Sequence, residues 1–302
     1  SGYGFVSFRI KNLVLVKDSG IFKLKKFSVA GTGGQCLMMP PEGDGNKYPY
    51  KIFIAGGVGM NLLFSMIALG VCVYIDFFFW LKIFCLLFSI VGIYIALTNG
   101  IPMKIGGVVN DGYLYCSLDK NKLACQSFML QLKVNGLQTQ GVRLRELPSD
   151  WFILPQEADL GDSLLAAVRM LEYSRFLDQM DFEGAKYCLD KMKPYYNRLI
   201  PLFQKELDCE LLFMEIINDC RECEIARLFT PELSKYVKRY SKYMLSKKRL
   251  QFTYTLKVLK DYSNANKILA EAIQMEKYYP VKGDAESELA IMQYLKILET
   301  KE

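Results

Sequence analysis

The stretch TNGIPMKIGGVVNDGY, Thr98 to Tyr113, gathers the side chains best suited to chemistry: Asn99, Pro102, Asn110, Asp111 and Gly112. It follows one of the most apolar runs in the chain, so a helix crossing a bilayer would bring these groups to lipid or headgroups. Amides and carboxylates are costly at that depth and are usually kept there to bind something. Asp111 is the group that most needs a ligand.

The elements that must position it are apolar. Ile52 to Ile75 holds 24 residues without a charge; as a helix this is about 36 Å, enough to cross a hydrocarbon core of roughly 30 Å. Phe77 to Leu97 reads as a second span, to about residue 101, with Lys82 near enough its start to snorkel and Trp80 suited to an interface. Little more than Asp76 joins them, which demands an antiparallel hairpin. The excess of positive charge then places Lys47, Lys51 and Lys104 in the cytoplasm and Asp76 outside. Gly56, Gly57 and Gly59 would let another helix approach closely, with Asn61 offering a hydrogen bond across the contact. That is a packing role, beside which a functional one stands open.

Ahead of the hairpin, Phe5 to Val29 alternates apolar and basic residues around the turn sequence Lys17-Asp18-Ser19-Gly20, and predicts a small sheet with one basic face. Ala30 to Pro49 is dense in Gly and Pro and reads as a loop. Its Gly31-Thr32-Gly33-Gly34 is no phosphate loop, because no Gly-Lys-Ser/Thr follows and no helix opens after it. Residues 1–112 carry 10 Lys and Arg against 5 Asp and Glu, whereas residues 113–302 carry 28 against 27. A basic excess beside apolar spans fits a membrane protein with cytoplasmic flanks, and argues against nucleic acid as partner.

The nine cysteines are scattered without the spacing of a disulfide framework and read as reduced thiols. Cys220 and Cys223 form the one CxxC; with no second pair and no histidine anywhere, they read as two thiols one helical turn apart rather than a metal or redox site. The opening SGYGFVSFRI has no apolar core of a signal peptide. Beginning at serine, the sequence reads as a piece of a longer protein.

Beyond about Cys116 the pattern turns amphipathic and helical. Leu164 to Met192 breaks at Met180-Asp181-Phe182 before Ala185, and Tyr254 to Ile273 repeats the device with Asp261-Tyr262 before Ala265. Units of roughly 34 residues resemble tetratricopeptide helical hairpins. They predict three to four hairpins stacked over residues 156–302, with residues 116–155 as a connector. Tyr236, Tyr240 and Tyr243 among Lys235, Lys238, Arg239 and Lys242 form a basic aromatic stripe, read as a solvated face that would also suit anionic lipid.

Two motifs carry a resemblance. Gly56-Gly57-Val58-Gly59-Met60-Asn61-Leu62-Leu63 resembles the second-helix motif of the site-2 protease family of intramembrane zinc metalloproteases, bacterial members included. Asn99-Gly100-Ile101-Pro102 with Asn110-Asp111-Gly112 resembles that family's third-helix Asn-x-x-Pro…Asp-Gly signature. The resemblance covers about residues 1–115. It implies a three-helix core whose first helix, bearing His-Glu-x-x-His, is missing here; Asp111 would be the third zinc ligand. Asn99 and Pro102 would shape the helix end and hold substrate or the hydrolytic water, with Asn61, Asn110 and Gly112 in support. Gly31 to Met39 resembles the Gly-rich loop of some bacterial members. Asp111 stands twelve residues after Asn99, about four more than the commonest form of the motif, and the added Gly106-Gly107-Val108-Val109 is expected to unwind into a loop around the metal.

The expectation is therefore a mainly α chain: a small β element, a two-helix membrane hairpin, and a soluble, cytoplasmic α-hairpin domain, in a multi-pass protein of the cell membrane. The function expected is hydrolysis of peptide or membrane-protein substrates at zinc, inactive without His-Glu-x-x-His, with the helical domain engaging a protein partner. The alternative is a membrane-anchored helical-repeat scaffold, or a non-catalytic relative, that binds proteins without metal. A small transporter or channel would need more than two spans.

Overall fold

The computed structural model describes residues 2–18, 20–26, 34–41, 49–75, 78–105 and 108–299. It is mainly helical, with one four-stranded sheet near the N-terminus. The chain divides into two compact units, Ser1–Tyr3 with Pro41–Met129 and Gly4–Pro40 with Leu130–Glu302. The sheet thus groups with the long helical part, across the boundary near residue 115 that the sequence suggests.

The first unit is built on two helices, α1 (Tyr50–Tyr74) and α2 (Phe79–Gly100). Both are long and apolar enough to cross a membrane, and little of either is buried within the protein. Phe64, Ile67, Phe84, Leu87 and Ile90 stand exposed, which is what helices apolar on every side do in lipid. They pack antiparallel: a Cβ on Gly100 would lie 3.1 Å from Val58, one on Gly92 only 2.1 Å from Ser65 Oγ, and Cys72 Sγ donates to the Lys82 carbonyl at 3.5 Å. The close approach uses Ser65, Ser89 and Ala96, all buried. Gly56 and Gly59 instead meet open space, so within this unit they are not the contact. Asp76 lies outside the described residues, as do Lys47 and Gly106-Gly107.

In the second unit β1 (Gly4–Ile10), β2 (Leu13–Asp18), β3 (Ile21–Lys26) and β4 (Gly34–Met39) form an antiparallel sheet ordered β3-β2-β1-β4. A turn at Lys11-Asn12, with Lys11 at φ 52°, splits what the sequence shows as one run. Strand β4 falls inside the stretch read as a loop: Cys36-Leu37-Met38-Met39 pairs along β1, a partner that local Gly and Pro content conceals. Most of the remaining loop, residues 27–33 and 42–48, lies outside the described residues.

Three basic residues share one side of the sheet, with Lys17 and Lys26 on the other. The register places Arg9, Lys23 and Lys25 on the side of Val14 and Val16, which are 2% exposed, while Phe8, Ile10, Leu13, Phe22 and Leu24 stand exposed on the other. Long stems allow this: Arg9 is buried yet donates to the Lys11 carbonyl at 3.1 Å, and Lys25 Nζ reaches the Tyr279 carbonyl at 2.7 Å.

The remainder is helical. In α3 (Asp111–Ser117) the chain leaves the hairpin, and α4 (Lys122–Gln140) lies where a connector is expected. Leu144, Leu147 and Phe152 from short 3-10 turns pack with Val134 of α4. Then follow α5 (Ser163–Asp178), α6 (Phe182–Met192), α7 (Pro201–Ile217), α8 (Glu222–Leu228), α9 (Pro231–Tyr240), α10 (Leu245–Thr253), α11 (Tyr262–Glu276) and α12 (Lys282–Glu299).

Three inter-helix turns repeat one design. Met180, Cys220 and Lys260 each take a left-handed backbone at φ 59°, 50° and 54°, and successive ones are 40 residues apart rather than about 34. Asp181 and Asp261 then cap α6 and α11 by accepting from the Gly184 and Asn264 amides, and Ala185 and Ala265 are fully buried one turn in. Before the third turn, α10 runs into a π-turn at Tyr254–Val258, which takes up an extra residue.

Sequence patterning gives no hint of the polar centre. Arg249, 1% exposed, donates from Nε to Glu288 at 2.6 Å and from Nη2 to Glu210 at 2.7 Å, and lies 3.8 Å over the Phe213 ring. Tyr173 OH donates to Glu210 at 2.7 Å, and buried Lys247 pairs with Glu206 at 2.7 Å. The network joins α5, α7, α10 and α12. Burial, with Asp284 and Glu210 close by, outweighs Arg249 and lifts the Glu288 carboxyl from 4.5 to about 7. The folded chain therefore holds this proton where the unfolded chain has released it. The contribution of Glu288 is full below pH 4.5 and lost as pH rises through about 7. Glu288→Gln should flatten this part of the stability profile, measured by denaturant unfolding at a series of pH values between about 4.5 and 8.

Candidate functional site

Asn110 is the residue on which the site is built. Its Nδ2 donates to the carbonyls of Thr98 at 2.8 Å and Ile101 at 2.6 Å, taking up acceptors that the end of α2 leaves unpaired. Its Oδ1 accepts from the amides of Met103 and Tyr113, both at 3.0 Å, the second being the N-cap bond of α3. One side chain thus ties the C-terminus of one helix to the N-terminus of the next.

Between Pro102 and Asn110 the described residues pair as a short ladder. They fold into a hairpin, β5 (Lys104–Ile105) with β6 (Val108–Val109), closed by the Asn110 amide donating to the Met103 carbonyl at 3.2 Å. Gly112 is required at the start of α3: a Cβ would stand 2.1 Å from the Gly100 carbonyl oxygen, so any other residue drives α3 off α2.

Asp111 follows directly and is left over. Half-buried, it makes no hydrogen bond or ion pair among the described residues, and burial pushes its pKa up from 3.8. It lines a cavity of about 250 Å3 with Ile54, Ala55 and Val58 of α1, Gly100, Pro102, and Tyr115 of α3. Across from it is Gly57, where an added Cβ would lie 4.0 Å from Asp111 Oδ2. The start of α1 is held to the turn after α3, with Tyr50 and Lys51 both engaging Asp119.

Of the expected residues, the structure brings Pro102, Asp111 and Gly112 to one cavity with Asn110 bracing them. Asn61 and Asn99 do not line it. Tyr115 and Cys116 do, four and five residues on from Asp111 on the same short helix, a spacing that could have pointed to them. Ser65, buried against Gly92 with no hydrogen-bond partner for its hydroxyl among the described residues, had no signal in the sequence. The tyrosine stripe also divides: Tyr236 turns in to donate to Glu206 at 2.5 Å and packs on Tyr240, while Lys235, Lys238, Arg239 and Lys242 remain exposed.

Among the described residues no group of three His, Cys, Asp or Glu side chains converges as a metal site. Comparison with protein-family models, with curated proteins and with solved structures returns no match.

Proposed function

We propose that this chain is part of a membrane-embedded zinc metalloprotease cleaving peptide bonds of membrane-associated substrates, with Asp111 as one metal ligand. The observation that carries the reading is the half-buried Asp111 carboxylate, without a hydrogen-bonding or ionic partner among the described residues, at the rim of a cavity of about 250 Å3. No cationic side chain pairs with this carboxylate among the described residues, and a divalent ion would suit it. One carboxylate does not make a zinc site, and this sequence has no histidine; the other ligands, and the glutamate of a His-Glu-x-x-His helix, would come from outside these residues. Zinc, if bound there, would supply an acidified water and polarise the scissile carbonyl.

The part played by this chain is positioning. Asn110 fixes where Asp111 points, Pro102 ends the backbone of α2, and Gly57 keeps the approach from α1 open. Gly56 and Gly59, facing open space, suit the close approach of a further helix. On this reading α1 and α2 are a hairpin in the cell membrane, β3 offers an edge for an unwound substrate, and the helical hairpins select partner proteins in the cytoplasm.

The test is zinc content. In the complete protein, purified wild type should retain zinc by mass spectrometry and Asp111→Ala should lose it, with both equally helical. Equal zinc in the two removes Asp111 from the site; absence of zinc from both leaves a membrane-anchored scaffold as the reading.

A further inference from the structure

We propose that the groove between the outer edge of β3 and the ends of α9 and α11 binds an extended peptide in which carboxylate and apolar side chains alternate. This rests on the peptide-binding function above and names the class of segment that is bound. The groove belongs wholly to the second unit and encloses about 440 Å3. One wall is the sheet, through Leu13, Leu24 and Lys26; the other is Lys242 and Tyr243 after α9, with Met275 and Tyr278 at the end of α11. Among the described residues no acidic side chain lines it.

Lys26 and Lys242 are exposed, and neither meets a carboxylate among the described residues. Lys25 has a different task, bracing the floor through its bond to the Tyr279 carbonyl at 2.7 Å. The wall between the cations is apolar, so the complementary ligand carries negative charge on an apolar frame.

Backbone geometry favours a peptide over a lipid surface. Asp18 pairs with Ile21 across a two-residue connection, which makes Val16–Lys23 and Val14–Lys25 the hydrogen-bonded pairs. Phe22, Leu24 and Lys26 therefore turn their amide and carbonyl groups outward, the last two at the groove. A further strand would meet them, whereas a flat bilayer cannot follow a cleft walled on both sides. In an added strand, residues two apart share a face, so alternate carboxylates can meet the lysines together.

The test uses the whole chain in neutral detergent and fluorescence anisotropy with two labelled peptides, one alternating Glu and Val and one alternating Lys and Val. The acidic peptide should bind and the basic one should not. The double variant Lys26→Glu with Lys242→Glu, both exposed positions, should weaken the acidic peptide at least about tenfold and admit the basic one. Asp111→Ala should bind as wild type does, so loss of the zinc reading and loss of this one are separable. The proposal is overturned if neither peptide binds, if both bind equally, or if the charge reversal changes nothing, in which case the lysines only guard the edge against pairing. It is overturned too if the double reversal abolishes binding to phosphatidylglycerol vesicles while leaving peptide affinity intact, which would give the groove to lipid.

Discussion

Asn110→Ala should loosen the junction between α2 and α3 without any steric clash, by loss of hydrogen bonds alone. Four hydrogen bonds are lost together, to Thr98, Ile101, Met103 and Tyr113. At roughly 1 kcal/mol each, with partners left wanting, the cost is about 3–4 kcal/mol. Hydrogen exchange in detergent should show the Met103 and Tyr113 amides opening while the middle of α1 is unchanged. Asn110→Asp separates the two halves of the role. It keeps the acceptor for both amides but sets an anionic oxygen against the Thr98 and Ile101 carbonyls, so α3 should start normally while the end of α2 frays. Unchanged protection at both amides in Asn110→Ala would refute this account.

Arg249→Met should have a comparable effect in the second unit. It removes the cation shared by buried Glu210 and Glu288, leaving Glu210 only Lys247, at 3.8 Å, and the Tyr173 hydroxyl; removing one member of a buried ion group typically costs about 3–5 kcal/mol. Denaturant unfolding followed by circular dichroism should register that loss. Replacing Glu210 and Glu288 by methionine as well should restore most of it, because the cost lies in the uncompensated charge and not in the missing bonds. If the triple variant is as weak as the single one, the network contributes through geometry that apolar packing cannot replace.

These two centres differ in how visible they are to a reader of the sequence. Helices α1 and α2 are legible because long uncharged runs have few other fates, and the observed bounds lie within a few residues of the expected ones. The breaks at Asp181 and Asp261 are legible because the change of pattern is local, while the capping bonds that make them are seen only in the structure. Asp111 stands out because a charge after an apolar run is conspicuous, and the structure does leave it without a partner among the described residues. Asn110, next to it, draws notice only as part of a motif; its four bonds join groups spread from Thr98 to Tyr113 and depend on a hairpin that brings Met103 back.

Other features were hidden for stated reasons. Glu210, Arg249 and Glu288 look like the polar faces of amphipathic helices until four helices meet around them. Strand β4 depends on a partner some thirty residues away, and Gly and Pro around it mask the pairing. The interval of 40 residues between left-handed turns is hard to see because Met180, Cys220 and Lys260 share no chemistry; only backbone angle marks them.

The outward side of the sheet has a practical consequence. Phe8, Ile10, Leu13, Phe22 and Leu24 make an oily plate on a unit whose helices are otherwise evenly charged, so its behaviour in water is set by that plate rather than by its many acids and bases. Taken by itself, this part of the chain should need detergent to stay dispersed, and crystals or micelles should find it laid face to face with something greasy.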